Sequence, residues 1–254
     1  MRRANWTAAM PDHLFADAGL AALYDAMCVG RGDFDFYLPL VMAAPSVLDV
    51  GCGTGELLIR ARDGGHKGRL TGLDPAPGML AQARKRADIE WIEGDLSCRR
   101  WSNAFDLIVM TGHAFQVLLE DDELRASLTA IREALTPSGR FAFETRNPLV
   151  REWENWTPDK IGQVTAPDGT VVRMTRQIDA VSGDRVSFSH TFTSPSWPSA
   201  ETSHSTLRFL NAQTLGKFLS EAGLAIEQQF GDWNREPFTP ASPEIITVTR
   251  KNGR

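Results

Sequence analysis

Three carboxylates stand at comparable places in this chain, each at or near the end of a short apolar run. Asp49 lies in VLDVGCGTGE (47–56), Asp74 closes RLTGLD (69–74), and Asp95 follows IEWIEG (89–94). Gly51, Gly53 and Gly55 come at alternate positions after Asp49. Glycines this close behind a strand let the backbone approach a ligand. His113, in MTGHAF (110–115), closes a further apolar run, and its imidazole suits taking a proton from an amine or a hydroxyl. The same ring also suits a plain hydrogen bond to its own loop. His13, His66, His190 and His204 fall in the N-terminal stretch, a turn and a polar-apolar alternating segment, and are read as surface residues.

The chemistry of the glycine loop is narrowed by Glu56. A dinucleotide fingerprint, G-x-G-x-x-G, needs glycine where this chain has Glu56, and a carboxylate in the first helical turn opposes a pyrophosphate. A phosphate-cradling P-loop fails too, because no Gly-Lys-Ser/Thr follows. A ligand with cationic groups, a ribose and an adenine fits the pattern better. Asp49 and Glu56 then supply negative field, Asp74 accepts from both ribose hydroxyls, and Asp95 accepts from the adenine amino group with Leu96 against its face.

These residues need a sheet that brings strand ends to one rim. SVLDVG, RLTGLD, IEWIEGD, FDLIVM and RFAFET read as strands, while GELLIRAR, PGMLAQARKR and DDELRASLTAIREAL carry helical spacing, the last ending at Pro137-Ser138-Gly139. Strands alternating with helices predict a parallel sheet covered on both faces. With LAIEQQFGDW and EIITVTRK as closing strands, the fold class is α/β, a doubly wound, mostly parallel, seven-stranded Rossmann-like sheet. Residues 161–210 alternate with period two around the turn signals APDGT and VSGDR, which predicts an antiparallel β insertion after strand 5. ADAGLAALYDAM (16–27) and DFDFYLPLVMAA (33–44) predict two N-terminal helices. The expected organisation is a helical cap over 1–45, an α/β core over 46–148, an antiparallel lid over 149–210 and a completion of the core sheet over 211–254.

The run Asp49-Val50-Gly51-Cys52-Gly53-Thr54-Gly55, then Asp74, then Gly94-Asp95-Leu96, resembles the class I S-adenosylmethionine-dependent methyltransferases, and the likeness extends to about residue 147. The resemblance implies S-adenosyl-L-methionine as cofactor, with Asp49, Gly51 and Gly53 beside its methionine moiety, Asp74 on the ribose, and Asp95, Leu96 and Met79 around the adenine. Thr111, at the rim of the fourth strand, joins that cofactor-binding set. YDAMCVGRG (24–32) is similar to the entry segment of small-molecule methyltransferases that include bacterial sugar N-methyltransferases. It implies that Tyr24 closes over the cofactor and that Arg31 pairs with the cofactor's carboxylate. Cys28 stands where relatives often carry tyrosine. The acceptor is expected to be a small molecule methylated at N or O, with His113 as the catalytic residue. A cofactor-binding regulatory protein without catalysis, and an NAD(P)-dependent oxidoreductase, stay open as alternatives.

Composition bounds the rest. A net charge of -5 without a long basic run disfavours nucleic acid as partner. No apolar stretch is long enough for a membrane span, and Asp12 and His13 interrupt the segment behind the opening arginine pair, so a cytoplasmic location is expected. The triplets Asn5-Trp6-Thr7 and Asn155-Trp156-Thr157 match the glycosylation pattern by chance on that reading. Three cysteines without metal-ligand spacing predict neither a disulfide framework nor a metal site. Arg146, Trp153, Trp156, Arg173, Arg176, Trp197, Arg208 and Trp233 are the mixed set from which an acceptor pocket, or the core of a small sheet, is expected to be built.

Overall fold

A computed structural model describes residues 10–166 and 168–252; the opening arginine pair and the Asn5-Trp6-Thr7 triplet lie outside the described residues. In place of one helix over 16–27 the chain forms three single turns, α1 (His13–Ala16), α2 (Ala18–Ala21) and α3 (Tyr24–Met27). Asp17 is the cause. Its backbone is extended and its carboxylate accepts from the Leu20 N–H at 2.9 Å, so it caps a new helix instead of continuing the old one. The second expected helix forms as α4 (Asp33–Ala43).

The core then runs β1 (Ser46–Val50), α5 (Glu56–Asp63), β2 (Arg69–Asp74), α6 (Pro77–Ala83), β3 (Glu90–Glu93), β4 (Phe105–Met110), α7 (Asp121–Ala134) and β5 (Leu135–Arg146). Strand β5 begins at Leu135 rather than at Arg140, because Leu135 is already extended and pairs with Phe105 before the register shifts. After the insertion come α8 (Ala212–Glu221), β10 (Leu224–Phe230) and β11 (Glu244–Lys251). The seven strands are ordered β10-β11-β5-β4-β1-β2-β3, parallel except for β11, which runs antiparallel to both β5 and β10. Alternate residues feed two cores, as a sheet buried on both faces requires. Leu48, Val50, Ile108 and Met110 pack toward α7 and α8, while Val47, Leu107 and Val109 pack toward α4 and α5.

Two features of this topology position the site. The strand order reverses between β1 and β4, so the loops after these two strands diverge and leave a crevice at their carboxyl ends. Because β11 is antiparallel, its first residue, Glu244, lies opposite Arg146 at the end of β5 and reaches the same rim.

Between β5 and α8 the chain builds a second sheet of four antiparallel strands, β6 (Gly162–Thr165), β7 (Val171–Ser182), β8 (Arg185–Thr193) and β9 (Glu201–Arg208). Gly183, at φ 60°, opens the two-residue turn between β7 and β8, as the VSGDR signal requires. One face of this sheet is clamped in two places. Val172 and Phe192 pack on Leu14, Leu20 and Leu23 of the N-terminal turns. Val186 and Phe188 pack on Trp153, Trp156 and Phe209. The Leu14 N–H donates to the Ser203 Oγ at 2.9 Å, and the Ser205 hydroxyl donates to Asp12 at 2.5 Å. The second sheet and the N-terminal turns are therefore one joined cover over the crevice. Among the described residues no helix is long and apolar enough to cross a membrane.

Candidate functional site

Under this cover lies a cavity of about 2000 Å³. Its floor is the rim of the parallel sheet and its roof is the inner face of the second sheet. Of the residues singled out from the sequence, Tyr24, Arg31, Gly51, Gly53, Asp74, Met79, Asp95, Leu96, Thr111 and His113 line the cavity. Asp49 lies just beneath, against a small recess that it shares with Gly51, Gly53 and Thr111.

The glycine loop is shaped by backbone conformations that only glycine adopts readily. Gly51, Gly53 and Gly55 have φ of 74°, 55° and 78°. A Cβ on Gly51 or Gly55 would collide with Ala114 or Trp91, whereas one on Gly53 would meet nothing within 4 Å. Gly53 is thus the point where the backbone faces open space. Its N–H donates to Asp74 Oδ2 at 2.8 Å, and the Ala76 N–H donates to Asp74 Oδ1 at 2.8 Å. These bonds fix the carboxylate and leave further lone pairs on both oxygens. Thr54 ties the loop to the cover by donating to Asp25 at 2.6 Å.

Asp49 is the unusual member. It is buried, and its Oδ1 has no hydrogen-bond partner. Burial first, then the neighbouring Asp74 carboxylate, push its pKa from 3.8 to about 8, against the pull of Arg31. Such a group lacks a cation. Linkage gives this a measurable sign. Asp49 and Glu244, both raised to about 8, hold protons that the unfolded chain has already lost, so stability falls as pH rises to that value. His113 and His190, both lowered from 6.5 to about 4, act oppositely below pH 6.5. The unliganded fold should therefore lose stability between pH 6.5 and about 8, and Asp49→Asn should flatten part of that slope in thermal unfolding. A slope unchanged in Asp49→Asn would show that Asp49 is ionised in the free protein.

Along one wall of the cavity, Met79 packs with Ala21, Ala76, Phe15 and Tyr24, and Leu96 is buried. Asp95 Oδ1 accepts from the Ser97 N–H at 2.7 Å and from its hydroxyl at 2.5 Å, so Oδ2 is not used by these bonds. Arg31 is held by Asp33, with Nε at 2.8 and 3.1 Å from the two carboxylate oxygens and Nη2 at 2.5 Å, and it stacks on Phe34. Its guanidinium is thereby fixed beside Gly112 with one edge spare.

At the end of β4, Gly112 and His113 are both left-handed, at φ 65° and 64°. For histidine this is an uncommon conformation, and it is held by the His113 N–H donating to Glu144 Oε1 at 2.7 Å. Glu144 also accepts from the Tyr37 hydroxyl. The His113 ring meets Glu244, with Nε2 at 3.0 and 3.1 Å from its two oxygens. Burial lowers the imidazole to about 4 and raises the Glu244 carboxyl to about 8, so at neutral pH the pair carries no net charge.

Two readings from the sequence are corrected. His66 and His190 are buried, not on the surface. His66 Nε2 bonds the Ala44 carbonyl at 2.8 Å, and His190 Nε2 accepts from Arg176 at 2.7 Å on the roof of the cavity. Tyr37, Glu144, Glu244 and the Arg176–His190 pair went unassigned, although Arg176 stood in the mixed set. Glu144 had a visible signal, an acid closing the apolar RFAF run. Of the mixed set, Arg146, Arg176 and Trp233 reach the cavity, while Trp153 and Trp156 fill the second sheet's core and Trp197 packs beside the N-terminal turns.

Residues 47–139 match the model of a family described as a methyltransferase domain. The cypemycin N-terminal methyltransferase of a Streptomyces species is 26% identical over 211 residues, covering 81% of this chain and 83% of that protein. Other curated relatives, 32% to 49% identical, are matched over about half of their length or less. Among solved structures, the CcbJ methyltransferase of Streptomyces caelestis superposes with a TM-score of 0.74 at 20% identity, over 94% of this chain and 98% of that one. The sugar N-methyltransferase KedS8 of Streptoalloteichus sp ATCC 53650 does so at 0.68 and 20%, over 91% and 93%. These two likenesses are of fold.

Proposed function

We propose, for a chain whose residues 47–139 form a methyltransferase domain, that the cavity binds S-adenosyl-L-methionine and methylates a nitrogen or oxygen atom of a small molecule. The observation that carries this reading is the buried, unpartnered Asp49 carboxylate beside the open backbone of Gly53. Together they call for a ligand that brings positive charge close to main chain. Asp74 serves the ribose, and Asp95, Leu96 and Met79 the adenine. Gly51, Gly53 and Asp49 serve the amino-acid end, with Arg31 toward its carboxylate and Tyr24 and Thr111 closing the sides. When bound, the cofactor supplies an electrophilic methyl group on a sulfonium.

The chain's own work is to orient the acceptor and to manage its proton. Orientation of reacting groups supplies up to about 7–11 kcal/mol of a displacement barrier where alignment is near ideal. Glu244 occupies Nε2 of His113, so Nδ1 is the nitrogen left for the acceptor. With Glu244 ionised, Nε2–H donates to it and Nδ1 carries a lone pair that receives the proton released as the acceptor's N or O gains the methyl group.

Glu56 argues against a nicotinamide dinucleotide. It sits in the first turn of α5 and pairs with Arg60, where a pyrophosphate would meet a carboxylate. Arginines elsewhere on the surface are largely answered by acids, and the net charge is -5, which supports a small-molecule acceptor over a nucleic acid. The four-part organisation, with residues 149–210 acting as a substrate lid, belongs to the same reading. Incubation with methyl-labelled S-adenosylmethionine and a small-molecule fraction of cell extract should yield S-adenosylhomocysteine and a labelled product. Binding of S-adenosylhomocysteine without its formation from any fraction would overturn the catalytic half.

A further inference from the structure

The roof of the cavity carries a guanidinium that has no ion-pair partner among the described residues. Across the inner face of the second sheet, β7, β8 and β9 place Arg176 opposite His190 and His190 opposite Ser203. This polar row divides the two apolar clusters that clamp the sheet, Val172 and Phe192 on one side, Val186 and Phe188 on the other. Arg176 is half-buried and lines the cavity. Its Nε donates to His190 Nε2 at 2.7 Å, and its guanidinium stacks on Trp156 with Cζ 4.8 Å from the ring centroid. Both contacts fix the plane and leave the two Nη atoms uncommitted.

A neighbouring arginine shows what Arg176 lacks. Arg146 also stacks on Trp156, at 5.2 Å, but its Nε is 2.9 Å from Glu152. Arg176 makes no ion pair among the described residues. His190 cannot compensate it: as acceptor of the Arg176 N–H it is neutral, with its proton on Nδ1, and burial and Arg176 together keep it so. Burial first, then the nearby Arg146, pull the Arg176 pKa down and outweigh the smaller opposing pull of Glu152, which is engaged with Arg146.

The floor of the cavity holds the carboxyls of Asp49, Asp74 and Glu144 together with the Arg31–Asp33 pair, and its roof holds a guanidinium with no ion-pair partner among the described residues. We infer that Arg176, braced by His190 and Trp156, is an anion subsite for the methyl acceptor, and that the acceptor is a small molecule bearing a carboxylate beside an apolar body. The inference rests on the methyltransferase reading for what the subsite serves. A guanidinium presents paired N–H groups to a carboxylate, and Phe188, which lines the cavity, supplies apolar wall next to it.

The test uses benzoate and benzamide, which match in shape and differ in charge, titrated calorimetrically into the full chain with and without S-adenosylhomocysteine. Benzoate should bind about tenfold or more tightly than benzamide. Arg176→Gln should abolish that preference, Arg176→Lys should keep part of it, and neither should change the affinity for S-adenosylhomocysteine. Equal binding of the two probes, or a preference that survives in Arg176→Gln, overturns the inference. So does loss of S-adenosylhomocysteine affinity in a folded Arg176→Gln, which would assign the guanidinium to the cofactor's carboxylate. If S-adenosylhomocysteine fails to bind the wild type, the methyltransferase reading falls, while the benzoate preference in the unloaded protein still decides the subsite.

Discussion

Above about pH 8, where Glu244 is ionised, replacing His113 with alanine should lower methyl transfer by about two to four orders of magnitude while the affinity for S-adenosylhomocysteine barely changes, the range for a lost general base. The ring touches the cavity but packs on Glu244 rather than on the glycine loop, so the cofactor end is left intact. The pH dependence gives the sharper signature. Below about pH 8 Glu244 keeps its proton and donates it to Nε2, which puts the ring proton on Nδ1 and removes the base. As pH rises through about 8 the carboxylate forms, Nε2–H turns to it, and Nδ1 becomes a lone pair. Turnover of the wild type should climb through that pH. Glu244→Gln has no proton to lose near pH 8, so the climb should vanish whichever end of the amide faces Nε2. A wild-type profile that follows only the acceptor's own pKa, with a constant deficit in His113→Ala, would make His113 a positioning residue. Full activity in His113→Ala would remove it from the chemistry.

Loss of the Asp74 carboxylate has the next largest expected consequence. Asp74→Ala should weaken S-adenosylhomocysteine by about 1.5–3 kcal/mol, the range for hydrogen bonds to a charged partner. The carboxylate also tethers Gly53 and Ala76, so part of the loss comes from a freed glycine loop. A 2′,3′-dideoxy analogue separates the two contributions by the logic of a double-mutant cycle. If Asp74 accepts from the ribose hydroxyls, the analogue should lose less on Asp74→Ala than S-adenosylhomocysteine does. Equal losses for both ligands would leave Asp74 with the loop alone.

The parallel sheet and its rim were legible in the sequence because both are written locally. A strand buried on both faces is a continuous apolar run, and the residue that closes it stands at the rim, which is how Asp49, Asp74 and His113 were found. The N-terminal turns were misread because Asp17, inside an apolar helical pattern, caps a helix instead of continuing one. Glu244 was beyond sequence reasoning for a different reason. It opens a strand, and only the antiparallel insertion of β11 beside β5 carries it to His113. His190 and Arg176 lie on separate strands of the second sheet, and their meeting depends on a register set by a two-residue turn and a bulge. Alternation predicted an antiparallel sheet but neither the buried face of His190 nor its pairing with Arg176.

The most direct test is a crystal structure of the chain with S-adenosylhomocysteine. The account predicts the ribose hydroxyls on Asp74, the amino-acid end against Asp49 and Gly53, the adenine between Met79 and Leu96, and the sulfur facing the space bounded by His113 and Arg176. A ligand whose ribose lies away from Asp74, or whose sulfur faces away from that space, would contradict it.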